Sequence, residues 1–208
     1  MDSKKKQLIL YTTLKTAVSL GAILAAVLSH LDGSAHPGFP IVLLGLICCT
    51  SGDFFLALSG ELYREVDQRF FVVGVVSFAA AHLLFCWYLF VQAGSLSWTL
   101  IASPLTFLAA FAFVKKGVLD PGALTVPVLI YSALVGAFLG FGLGLPVVLG
   151  ATAYTVRFAV ASVLFWASDL ILSFRTFHPG SPKWLSAGVL IAYFAATYLI
   201  AFTSGMPL

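Results

Sequence analysis

Apolar residues dominate seven stretches of this chain of 208 residues, and short polar breaks marked by glycine and proline separate them. The stretches cover about 8–29, 40–59, 69–92, 97–114, 122–142, 146–174 and 184–203. Most approach or exceed the roughly 20 residues an α-helix needs to cross a bilayer core, and none shows the ten-residue alternation of a membrane β-barrel. The pattern predicts an all-α fold, a polytopic transmembrane helix bundle of seven spans forming one domain over 1–208.

Proline refines the boundaries. Pro37, Pro40, Pro121, Pro146, Pro179 and Pro182 are expected at breaks or first turns, where a missing N–H costs least. Pro104 and Pro127 fall inside the fourth and fifth spans and are expected to kink them. The sixth stretch is long for a single crossing. Leu145 to Tyr154 therefore reads as an outer extension, a tilted segment or a separate short helix, and eight spans form the alternative topology. Gly136, Gly140 and Gly144, like Gly74, Ser77 and Ala81, set small residues at helical spacing for close internal packing.

Charge orients the bundle. Lys4, Lys5, Lys6, Arg64, Arg69, Lys115, Lys116, Arg175 and Lys183 all fall on alternate connections, and the remaining connections hold no Lys or Arg. The positive-inside rule then places the N-terminus in the cytoplasm. A lysine cluster before an apolar run, followed by Gly33-Ser34-Ala35, imitates a signal peptide. The run is too long at about 20 residues and contains Lys15, so a retained first span is expected. Trp98 and Trp184 are read as interface anchors. The cations anchor helix ends and are not interleaved with exposed aromatics, so no nucleic-acid partner is expected. Cys48, Cys49 and Cys86 lie within spans without CxxC spacing and read as buried, inert thiols.

Two acids break the apolar pattern. Asp53 sits in Thr50-Ser51-Gly52-Asp53-Phe54-Phe55-Leu56 and Asp169 in Ser168-Asp169-Leu170-Ile171-Leu172. A carboxylate at membrane depth costs roughly 3 kcal/mol or more, which makes each a functional-site candidate. Asp53 precedes Glu61 by eight residues and Asp169 precedes Arg175 by six, so both lie on the order of 10 Å from the cytoplasmic ends of their helices. Lys15 reaches a similar level and is able to pair with either aspartate. His82 is placed nearer the midplane, while Arg157 lies toward the outer face, snorkelling or meeting a carbonyl. A salt bridge or a neutral acid that merely fixes helix packing is the plain alternative for the aspartates, as a structural counter-ion is for Lys15 and a hydrogen-bonded core group for His82.

The ordered set of Lys15, Gly52-Asp53, Gly74, Phe78-Ala79-Ala80-Ala81-His82, Tyr131, Leu164-Phe165 with Ser168-Asp169-Leu170, and Tyr193 before Leu199-Ile200 resembles the lysoplasmalogenase (YhhN-like) family of integral membrane proteins. Each piece alone is unspecific, whereas the ordered set spans nearly the whole chain. Where the family usually carries Gln or His in its last helix, this chain has Thr197, or Ala196 in a register one residue off. The resemblance implies hydrolysis of the vinyl ether bond of a lysophospholipid, the lysoplasmalogen, to a fatty aldehyde and glycerophosphoethanolamine or glycerophosphocholine. It implies Asp53 and Asp169 as the catalytic pair, with Lys15, His82, Tyr131, Ser168, Tyr193 and Thr197 as substrate-binding or supporting residues.

Such chemistry needs an acid that stays protonated near neutral pH and a carboxylate that activates water. Two nearby aspartates in low dielectric meet both needs, with no metal and no cofactor required. Residues alone do not say which aspartate is the acid. The expected setting is a bacterial plasma membrane, with the site near the cytoplasmic leaflet and the lipid bilayer as partner.

Three other classes compete. An intramembrane aspartyl protease presents Tyr-Asp and Gly-x-Gly-Asp strings, which do not occur. A zinc-dependent lipid amidase needs about three convergent ligands, and of His30, His36, His82 and His178 only His82 sits within a predicted span. A proton-coupled transporter is the principal non-enzyme alternative, but no convincing internal repeat supports it.

Overall fold

A computed structural model describes residues 3–33, 38–60 and 67–206. Arg64, Glu61, His36, Pro37 and the tripeptide's Ser34 and Ala35, all used above, lie outside the described residues. The remainder is helical: α1 (Ser3–Asp32), α2 (Phe39–Leu58), α3 (Gln68–Ala93), α4 (Thr99–Lys115), a 3-10 turn (Gly122–Leu124), α5 (Thr125–Leu149), α6 (Ala153–Phe177) and α7 (Leu185–Thr203).

Local chemistry sets the ends. Pro40 occupies the first turn of α2, where it gives up no helical hydrogen bond. The side chain of Asp67 caps α3 by accepting from Arg69 N at 2.9 Å, and Gly94 closes it in the left-handed conformation. One expected boundary moves. Pro146 lies inside α5 and does not break the chain there. The break falls instead at Gly150, with φ of 87°, followed by a reciprocal capping box in which Thr152 and Thr155 each bond the other's backbone N–H. The segment from Leu145 to Tyr154 is therefore the end of α5, a turn and the start of α6, not an added helix. Pro127 likewise sits in the first turn of α5, where no kink follows, whereas Pro104 is interior to α4.

Six helices close a ring in the order α1, α2, α3, α5, α6, α7 and back to α1, each packed on its neighbours. These six are the ones long and apolar enough to cross a membrane. The seventh, α4, has 17 residues, about 25 Å, and packs outside the ring on α5. The glycine row of α5 makes that seat. A Cβ on Gly140 would lie 2.6 Å from Thr99 Cα, and one on Gly144 would lie 2.9 Å from the Trp98 ring. Hydroxyls then tie the pair together: Ser103 donates to the Ala133 carbonyl at 2.8 Å and Thr106 to that of Ser132 at 3.0 Å. The expected close packing holds at Gly74 and Ala81, which face neighbouring helices, while Ser77 is half-buried and bonds its own helix at Val73 O.

One end of the bundle gathers Lys5, Lys6, Arg69, Lys115, Lys116, Arg175 and Lys183. Asp67 N bonds Ser59 O there, and Asp120 N bonds Phe177 O at 2.9 Å, so connections at this basic end are cross-linked through backbone. Toward the opposite end the lumen is filled with rings. Phe85, Phe138 and Phe165 form one layer, each fully buried, and Tyr88, Tyr154 and Phe158 form the next, with the two tyrosine hydroxyls 2.6 Å apart. The lumen is thus closed on that side.

Replacing Gly140 by Ala is expected to lower the stability of the detergent-solubilised protein by about 1–3 kcal/mol, because the added carbon meets backbone and can be relieved only by separating α4 from α5. Gly188→Ala, whose Cβ would meet only Ile171 Cδ1 at 3.8 Å, is expected to be neutral in the same thermal melt.

Candidate active site

The ring brings Lys15, Asp53, His82 and Asp169, from four helices, into its lumen. Asp53 of α2 is 1% exposed, and three groups surround it: Lys15 Nζ at 3.5 Å from Oδ1, with Ser19 Oγ at 2.5 Å and Tyr193 OH at 2.6 Å, both donating to Oδ2. A buried carboxylate keeps its charge only when paired and hydrogen-bonded, and this one is both. Lys15 and Ser19 stand one turn apart on α1, so a single helical face delivers the counter-ion and a hydroxyl.

Asp169 of α6 has a different company. Tyr131 of α5 donates to its Oδ2 at 3.3 Å, and His82 Nε2 of α3 lies 3.5 Å from the same oxygen. His82 is completely buried, among the rings of Phe138, Phe165 and Tyr131. Its Nδ1 lies 2.8 Å from the Phe78 carbonyl. A carbonyl only accepts, so Nδ1 carries a hydrogen and a neutral ring presents its lone pair on Nε2 toward Asp169. A hydrogen bond from that nitrogen to Asp169 would form only with a protonated carboxyl or a doubly protonated ring. Either form would place one proton where His82 and Asp169 can exchange it.

Both carboxyls border one small cleft, together with Lys15, Phe78, Ser168 and Tyr193. Leu56, Leu172, Val189 and Leu190 carry its wall toward the basic end. Among the grooves lined by described residues, two more are bordered by Asp169 and not by Asp53. One runs between α3, α5 and α6 past Val72, Val75, Val76 and Val128; the other runs between α4, α5 and α6. Both reach Tyr131.

Of the sequence-derived set, Lys15, His82, Tyr131, Ser168 and Tyr193 therefore stand at the aspartates or on their cleft. Lys15, open to either partner by depth alone, pairs with Asp53. Ser168 spends its hydroxyl on Phe165 O. Thr197 is buried and donates to Phe194 O of its own helix, away from the cleft lining. Arg157 lies at the surface with Nη1 3.1 Å from Met206 Sδ, rather than at a carbonyl. Ser19 was missed, although its four-residue offset from Lys15 on an apolar helix was a usable sign. Cys49 is buried as expected, but it sits one turn before Asp53 with its thiol beside the Tyr193 hydroxyl. Among the described residues, no three His, Cys, Asp or Glu side chains converge to hold a metal.

Two comparisons bear on this arrangement. The family model described as the YhhN family matches residues 10–204, a range that takes in the lumen-facing residues of the six ring helices. The Bos taurus protein named lysoplasmalogenase TMEM86A is 30% identical over 172 residues, covering 81% of this chain and 67% of the relative. No solved structure matches the fold significantly. The ordered residues that line the lumen and the match along nearly the whole chain have one conclusion: the protein belongs to the YhhN family.

Proposed function

We propose that this membrane protein is a lysoplasmalogenase, hydrolysing the vinyl ether bond of a lysophospholipid with Asp53 and Asp169 as its acid and base. The observation that carries the reading is the pair of carboxyls on one cleft, Asp53 buried and Asp169 partly exposed, each with its own tyrosine and its own basic partner. Membership of the family and the lysoplasmalogenase named among its relatives support the activity class.

Hydrolysis begins with a proton placed on the β-carbon of the vinyl ether. Water then adds to the oxygen-bearing carbon of the resulting oxocarbenium ion, and the hemiacetal collapses to aldehyde and alcohol. Positioned carboxyl groups accelerate such proton transfers by about 10²–10⁴-fold. The desolvated cleft strengthens the attraction between a carboxylate and the cationic intermediate. Under the positive-inside rule the basic end faces the cytoplasm, so a glycerophospho head group enters the cleft from that leaflet, and Lys15 offers its phosphate a positive charge. The valine-walled groove between α3 and α5 supplies an apolar bed for the hydrocarbon chain, opening to lipid beside Val76, which is 61% exposed.

A proton-coupled transporter would need a path through the bundle. The two aromatic layers beyond His82 occupy that path, which favours a site closed at one end.

Asp53→Asn and Asp169→Asn are each expected to lower aldehyde release from lysoplasmalogen by about 10²–10⁴-fold while the protein stays folded. Wild-type rates in both variants would sink the proposal, as would pH-driven solute uptake without lipid turnover. No fatty acid should be released from an ester lysophospholipid. Val76→Trp, which fills the mouth of the α3/α5 groove, is expected to raise KM for a long-chain substrate several-fold with kcat little changed, measured in mixed micelles.

A further inference from the structure

The two aspartates are not interchangeable in their surroundings, and two independent observations divide the work between them. We infer that Asp169 delivers the proton to the alkenyl carbon, that His82 is the positioning residue which holds and returns that proton, and that Asp53 is the ionised carboxylate which activates water. This deepens the lysoplasmalogenase reading and rests on it.

The first observation is the hydrogen-bonding inventory. Asp53 faces an ammonium and accepts from two hydroxyls, Ser19 and Tyr193, and all three partners favour a carboxylate. Asp169 accepts from one hydroxyl, that of Tyr131 at 3.3 Å, and faces the one imidazole nitrogen that carries no hydrogen when His82 is neutral, because Nδ1 is committed to the Phe78 carbonyl. That nitrogen has no hydrogen-bond partner and lies 3.5 Å from Asp169 Oδ2, at an inner surface no water reaches. In the inferred mechanism the pair holds one proton, which moves between an oxygen bordering the cleft and a nitrogen buried behind it.

The second observation is access. In the vinyl ether, the carbon that takes the proton belongs to the hydrocarbon chain, and the adjacent carbon bears the oxygen leading to glycerol. Among the grooves lined by described residues, Asp169 borders both the apolar grooves and the polar cleft, whereas Asp53 borders the cleft. The α3/α5/α6 groove shares Leu172 as well as Asp169 with the cleft, which makes it the continuous apolar path. A chain lying there sets its β-carbon against Asp169 and its oxygen-bearing carbon toward Asp53.

The protons balance. Asp169 transfers its proton to the β-carbon, whose π electrons form the new C–H bond, leaving an oxocarbenium ion and a carboxylate. Water adds to the oxygen-bearing carbon and yields its proton to Asp53. Asp53 then gives that proton to the glycerol oxygen as its bond to carbon breaks. The hemiacetal hydroxyl loses its proton to the Asp169–His82 pair, which restores the starting state and leaves one aldehyde and one alcohol for one water consumed.

Deuterium exchange tests the division. In D₂O, a variant that still protonates carbon but cannot activate water returns the oxocarbenium ion to vinyl ether and washes deuterium into the β-position of unreacted substrate. Asp53→Asn is expected to show that exchange, by mass spectrometry of recovered lysoplasmalogen, with little aldehyde formed; Asp169→Asn is expected to show neither. Removing Asp53 strands the buried Lys15 charge, so the Lys15→Met, Asp53→Asn double variant serves the same purpose should the single one not fold. His82→Gln should lower kcat about 10-fold or more, leave KM alone, and shift only the alkaline limb of the kcat–pH profile, because activity requires the pair protonated and Asp53 ionised. The other titratable groups facing this pair are Tyr131 of α5, Tyr193 of α7, Cys49 and Asp53 of α2 and Lys15 of α1, and all remain in that variant. Exchange in Asp169→Asn, no exchange in the folded Asp53 variants, or an unmoved alkaline limb in His82→Gln overturns the assignment alone. Absence of aldehyde from the wild-type protein overturns the lysoplasmalogenase reading and the assignment with it.

Discussion

A carboxylate buried among apolar helices must find a positive charge and hydrogen-bond donors within reach, and in this bundle that requirement shapes the lumen. Asp53 draws Lys15 and Ser19 from α1 and Tyr193 from α7, so one side chain of α2 cross-links three neighbouring helices of the ring. Helix association in lipid has no hydrophobic driving force of its own, so such polar contacts and close backbone packing do the joining. Asp169 performs the same office for α3 and α5 through His82 and Tyr131. The interactions that close the ring and the groups placed for catalysis are one set.

The lumen is divided along its length. Beyond His82 it holds two layers of interlocking aromatic rings, and toward the basic end it opens into the cleft. Rigid packing on one side gives the reacting groups fixed positions, since aromatic rings in contact allow few alternative rotamers. Reacting atoms held within fractions of an ångström are what proximity effects require. The open side admits water and a polar head group.

Helix α4 has another role. It is the short helix, it lies outside the ring, and its glycine-lined seat on α5 keeps it close without any share in the carboxylate network. Its presence turns one flank of α5 into a second groove, while the other flank, between α3 and α5, stays open beside Val76. Both grooves end on the same carboxyl. The asymmetry between Asp169 and Asp53 thus arises from helix arrangement, because only α6 faces the seams on either side of α5.

Hydropathy, prolines and charge alternation were enough to predict an all-helical membrane protein with its helix ends near the observed ones, since lipid leaves the backbone no choice but helix. They misplaced the turn between α5 and α6, where Pro146 suggested a stop that Gly150 and the Thr152–Thr155 box provide instead. Asp53, Asp169, Lys15 and His82 were legible because an ionisable group in an apolar run is costly and stands out against it. Ser19 and the setting of Cys49 were harder to read, because a hydroxyl or thiol in a helix can satisfy itself on its own backbone, and only the four-residue offset of Ser19 from Lys15 hinted at a partner. The sequence by itself determined which residues reach the lumen's depth, through the 1.5 Å rise of each helix. Only the tertiary structure decided the pairing of Lys15 with Asp53 and of His82 with Asp169, because depth is set along one helix axis and partnership by how helices are ordered around the ring.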